Sequence, residues 1–94
     1  MLHELKIWPC YFKNVVDKEK TFEIRENDRH YAVGDYLLLR EWSPETEGYS
    51  GRETLVKVIY FYEGGFLRSG YCAMSIDVID CWAVPGRGAI EDQP

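Results

Sequence analysis

Residues 18–35 read Lys18-Glu19-Lys20-Thr21-Phe22-Glu23-Ile24-Arg25-Glu26-Asn27-Asp28-Arg29-His30-Tyr31-Ala32-Val33-Gly34-Asp35. Between Lys20 and Arg25 the residue types alternate. Phe22 and Ile24 share one face of an extended segment, and Thr21, Glu23 and Arg25 share the other. A strand is expected from Lys20 to Arg25. Asn27-Asp28-Arg29 and Val33-Gly34-Asp35 carry turn chemistry on either side of Tyr31, which reads as an anchoring side chain.

Upstream, Leu2 to Trp8 reads as a first strand. Pro9 suits the first position of a helix, where its missing N–H costs nothing. Phe12, Val15 and Val16 fall at i, i+3 and i+4, the apolar stripe of a short helix running to about Lys18. Downstream, Tyr36 to Trp42 and Arg52 to Glu63 read as strands joined by the polar loop Ser43 to Gly51.

The stretch from Arg52 is apolar on both faces, with Val56, Val58 and Tyr60 on one and Leu55, Ile59 and Phe61 on the other. Such a strand belongs to a closed or nearly closed sheet with a helix against its outside. After the loop Gly64 to Gly70, Tyr71 to Asp80 forms a fifth strand with Cys72, Met74, Ile76 and Val78 facing the core. These elements make a small α+β barrel over residues 1–82, followed by a loose tail, 83–94, rich in Gly and Pro.

Composition narrows the functional classes. Of the 94 residues, 46% are apolar and fourteen are aromatic, enough for a core and unlike a disordered chain. No apolar run reaches the ~20 residues of a membrane-spanning helix, and the start lacks the pattern of a signal peptide, so a cytoplasmic protein is expected. Cys10, Cys72 and Cys81 form no CxxC pair, and His3 and His30 stand in no ligand spacing, so neither a metal nor another cofactor is inferred.

The net charge is −5. Residues 1–30 carry six Lys/Arg against six Asp/Glu, and residues 31–94 carry five against ten. Duplex DNA or RNA demands a broad basic face, because phosphate neutralisation dominates that affinity. This chain offers room only for a small site holding one or two phosphates or bases.

Glu23 and Arg25, two apart on a strand, pair on one face, and Lys20 swings its ammonium toward the same place. Two cations around one carboxylate would satisfy both its oxygens and leave donors free for a carbonyl or phosphate. The competing reading is a surface ion pair on a solvated strand, usually worth little. Trp8, Tyr11, Tyr31 and Trp42 sit near element ends bordering the same cleft, and stacking a base on such rings is worth ~1–3 kcal/mol. Each ring taken singly also fits the core. Asn27, Asp28 and Arg29 read either as turn formers or as readers of a base edge.

The order of strand, proline, short helix, Lys20-x-x-Glu23-x-Arg25 and Gly34-Asp35 resembles the ASCH domain of the PUA-like superfamily, and in particular a short subgroup of bacteria and their viruses. The resemblance covers most of residues 2–80. It departs at Lys18, where the family usually has a glycine in a left-handed cap, so the loop presenting Lys20 is expected to follow a slightly different path.

The resemblance implies recognition of a nucleoside, a modified base or single-stranded RNA at Lys20, Glu23 and Arg25, and the chemistry of Asn27, Arg29, Trp8 and Tyr31 adds them as candidate ligand contacts. It also implies an alternative, an amidohydrolase that deacetylates N-acetylated cytidine. Lys20 would then be nucleophile or base, and Arg25 would stabilise the oxyanion. Those enzymes carry a threonine at the position of Glu23, and they take a catalytic glutamate from a longer insertion where this chain offers only Glu63.

Overall fold

A computed structural model describes residues 1–83. Its elements run β1 (Leu2–Ile7), α1 (Pro9–Val16), β2 (Phe22–Glu26), β3 (Tyr36–Ser43), β4 (Gly48–Glu63) and β5 (Tyr71–Ala83). All five strands join one sheet in the order β1-β3-β4-β5-β2. The β1–β3 pair is parallel and the other pairs are antiparallel. Among the described residues no helix is long and apolar enough to cross a membrane.

β1 alternates strictly, burying His3, Leu5 and Ile7. Leu5 and Ile7 meet Leu37, Leu39, Val56, Val58, Cys72, Met74 and Ile76 from the other strands in one core. Phe12 and Val15 of α1 belong to this same core. The helix therefore covers the concave inner face of the sheet, where a helix against the outside was expected. An open curled sheet exposes its inner face, and two fully packed apolar side chains from one helical stripe contribute roughly 1.5–3 kcal/mol each by covering it.

Bulges produce the curl. Between Val58 and Tyr60 the register shifts by one residue, leaving Ile59 extra on β4, and between Leu55 and Val56 it leaves Ile79 extra on β5. A bulge sharpens local twist and bends the strand. It also reverses the facing of the residues beyond it. Tyr60, expected beside Val56 and Val58, is 62% exposed, and Phe61 packs against the core in its place.

The curl brings the two edge strands, β1 and β2, face to face without a backbone ladder between them. Side chains close the gap. Arg25 Nη2 donates to the Lys6 carbonyl at 2.8 Å, and Arg29 Nη1 donates to the Glu4 carbonyl at 2.9 Å. The expected five-stranded α+β barrel is thus a half-barrel stitched along one seam by two arginines.

Several boundaries differ from expectation. The first strand ends at Ile7, and the helix at Val16. Lys20 and Thr21 precede the second strand. The Ser43–Gly51 loop shrinks to a turn over 44–47, because Trp42 and Ser43 pair with Tyr49 and Gly48 and lengthen the hairpin. β5 continues through Cys81, Trp82 and Ala83, paired with Thr54, Glu53 and Arg52. The rest of the expected tail, 84–94, lies outside the described residues.

Candidate functional site

The end of α1 sets the position of Lys20. Lys18 takes a left-handed φ of 62°. Its N–H bonds to the Val15 carbonyl, and the N–H of Glu19 reaches back to Asn14. This is a Schellman ending with lysine where glycine is usual. Lys18 nonetheless takes the left-handed conformation, and the paired carbonyls hold it against a steric cost of roughly 1–2 kcal/mol. The Lys20 N–H also bonds to the Asn14 carbonyl, at 3.0 Å, which fixes the residue at the mouth of a cleft.

β2 turns its charged face inward. Glu23 is 4% exposed, while Phe22 and Ile24 are 46% and 50% exposed. Lys20 Nζ donates to Glu23 Oε2 at 2.9 Å and to the Phe22 carbonyl at 2.6 Å. Arg25 Nε donates to Glu23 Oε1 at 2.9 Å. Each carboxylate oxygen thus has its own cation, and the cluster carries a net positive charge. Burying a lone carboxylate would cost several kcal/mol, and pairing both oxygens offsets that.

These three residues share a cleft of about 620 Å³ with Lys6, Ile7, Trp8, Tyr11, Phe22 and Ile24. Trp8 and Tyr11 flank it with rings 6.4 Å apart and nearly parallel, at 17°. Lys20 Nζ also stands 4.9 Å over the Phe22 ring and 5.7 Å from that of Tyr11. Lys6, Phe22 and Ile24 were not among the expected site residues. Lys6 had one legible signal, a charge at an outward position of β1 two residues before the aromatic Trp8.

The remaining expected residues stand elsewhere. Tyr31 is buried in the core, edge-on to His3 at 4.8 Å, and burial pushes its phenol above the ordinary value. It offers no stacking surface beside Trp8. Trp42 is half-buried, with Lys6 Nζ 4.4 Å over its ring.

Asn27 is a turn former. Its side-chain oxygen accepts the Tyr31 N–H at 3.0 Å, and its amide group donates to Glu63 at 3.3 Å. Glu63 accordingly belongs to this turn and does not line the cleft. Arg29 fastens the seam. Asp35 of the Gly-Asp turn accepts from the Ala32 N–H, contacts the His3 ring at 2.9 Å and receives the N-terminal ammonium at 3.2 Å, which ties β1 to the start of β3.

Among the described residues no three His, Cys, Asp or Glu side chains gather in metal-binding proximity. Burial is the main force raising the Cys72 thiol, with Glu63 adding to it, so that thiol is a poor nucleophile at neutral pH.

Fold and site together define a small α+β half-barrel domain whose aromatic-edged cleft holds a carboxylate clamped by two cations. The chain belongs to the family described as "Domain of unknown function (DUF3850)", whose model matches residues 2–76. It is also similar to the "Uncharacterized 12.9 kDa protein in GpA 3'region" of Escherichia phage P2. The two are 44% identical over 41 residues, 44% of this chain and 38% of that protein, so the match spans well under two thirds of the relative's length.

Proposed function

We propose that the cleft recognises a nucleobase, as a free nucleoside or within single-stranded RNA, in the manner of ASCH and PUA-like domains. The observation carrying this reading is Glu23, buried between Lys20 and Arg25 beside the paired rings of Trp8 and Tyr11. A nucleobase is flat and carries carbonyl oxygens next to N–H donors. Lys20 and Arg25 supply donors for the carbonyls, Glu23 supplies an acceptor for an exocyclic amine, and the rings supply a stacking surface. Duplex binding does not fit, since the chain carries a charge of −5 and the site is a single cleft.

The amidohydrolase alternative draws less support. A nucleophilic Lys20 would have to leave both Glu23 and the Phe22 carbonyl. Its second carboxylate, Glu63, is held by Asn27 away from the cleft.

Thermal-shift screening of modified and unmodified nucleosides and short single-stranded RNAs tests the proposal. Lys20→Ala should weaken the best ligand tenfold or more, as loss of a charged hydrogen bond costs ~1.5–3 kcal/mol. Glu63→Gln should leave binding unchanged. Release of acetate from N-acetylated cytidine by the wild type, abolished in Lys20→Ala, would replace recognition with hydrolysis.

A further inference from the structure

The seam between β1 and β2 opens beside the main cleft into a second hollow of about 330 Å³, lined by Glu4, Leu5, Lys6, Arg25, Arg29, Arg40 and Tyr49. Four of these are cations and Glu4 is the one carboxylate in the lining, while Glu23 and Glu53 pair with Arg25 and Arg40 from outside it. That balance stands out in a chain whose net charge is −5.

The cations are held in place. Arg40 lies flat on Tyr49, its guanidinium carbon 3.8 Å from the ring centre, and its Nε is anchored to the buried Glu53 at 3.0 Å. Arg40 Nη1 also reaches Glu4 at 3.4 Å. Arg25 and Arg29 are pinned by the Lys6 and Glu4 carbonyls, two residues apart on β1 and hence roughly 6–7 Å along the seam. Lys6 and Arg25 line both hollows, so the basic track is continuous with the main cleft.

We propose that this seam binds the phosphodiester backbone of a single strand whose base occupies the main cleft. The inference rests on the nucleobase reading above and extends it from one base to a chain. A fixed row of guanidinium groups matches phosphate geometry, and a groove one strand wide beside an aromatic pocket is how single strands are gripped. A duplex would need the broad basic face that the chain lacks.

The test is fluorescence anisotropy with a labelled hexamer of single-stranded RNA, from about 20 to 200 mM KCl, where each phosphate contact contributes a slope of roughly −0.7 in log affinity against log salt. Lys6→Gln and Arg29→Gln together should flatten the slope by roughly 1.4, two contacts' worth. Arg29→Lys should restore its share, since it keeps the charge while changing the stitch. Trp8→Ala should weaken binding at an unchanged slope.

Unchanged slopes in the seam variants, with binding still weakened by Trp8→Ala, would overturn the seam proposal and leave base recognition standing. Flattened slopes with full affinity in both Trp8→Ala and Lys20→Ala would sink base recognition and the extension built on it. Absence of hexamer binding at the lowest salt would overturn the seam proposal, and base recognition would then stand or fall on the nucleoside thermal-shift screen.

Discussion

Arg25 is the residue on which the site and the fold both depend, and its replacement gives a sharp expectation. Arg25→Ala removes the 2.9 Å bond to Glu23 and the 2.8 Å bond to the Lys6 carbonyl. The side chain of Glu23 is only 5% exposed, so its carboxylate gains little from water in exchange. Breaking a buried ion pair costs ~3–5 kcal/mol, and Lys20, still on the other oxygen, holds the loss at the lower end. The Lys6 carbonyl lies on an open edge, can turn to water and adds little.

The expected loss is therefore about 3 kcal/mol out of the ~5–15 kcal/mol typical of a domain, or roughly 12–24 °C in Tm at this chain length. Urea unfolding followed by tryptophan fluorescence measures it. Arg25→Lys should lose about half as much, since one ammonium replaces a two-armed fork. A double-mutant cycle with Glu23→Gln should recover part of the cost, because no buried carboxylate is then left short of a cation and Lys20 keeps the Phe22 carbonyl. A loss under about 0.5 kcal/mol for Arg25→Ala would place the pair with exposed surface bridges and refute the reasoning.

Lys18→Gly should raise stability by ~0.5–1 kcal/mol, because the relief of a φ of 62° outweighs the added unfolded-state entropy. An unchanged or lowered urea midpoint would show that the left-handed ending is not strained. Burial acts to raise the Asp35 carboxyl, but the His3 ring, the Ala32 N–H and the N-terminal ammonium outweigh it and hold the group below its ordinary 3.8. A carboxyl depressed in the folded state adds stability that is full above 3.8 and lost as pH falls through the lower native value. Asp35→Asn should therefore destabilise the protein at neutral pH and flatten the acid limb of its stability curve, and an acid limb as steep as that of the wild type would contradict this.

The clustering of Lys20, Glu23 and Arg25 was legible because the three are close in sequence, and local spacing on a strand fixes which side chains share a face. The facing itself was not legible. Alternation separates Phe22 and Ile24 from Glu23 and Arg25 but does not say which pair lies inside, and two cations on one carboxylate reversed the usual answer.

The bulge at Ile59 was hidden for a related reason. A strand apolar on both faces reads the same in either phase, so the exit of Tyr60 and the entry of Phe61 had no signature. The half-barrel's inner helix depends on closure, which rests on contacts between residues far apart in the chain. Arg40 did leave a trace as the first charge after Leu37-Leu38-Leu39, but only the pairing of β3 with β4 shows that it meets Glu53.

The stitched seam has a bearing on self-association. In an open sheet the outermost strands present unpaired N–H and carbonyl groups that invite strands from other molecules. Here β1 and β2 turn those borders toward each other, and Arg25 and Arg29 occupy carbonyls on one of them. Guanidinium groups keep their proton across the whole physiological range, so this cover does not lapse with acidity as a histidine or carboxylate cover would. The two arginines of the seam are thus also a guard against edge-to-edge growth, and a chain stripped of both would be expected to oligomerise through β1 even where each copy remained folded.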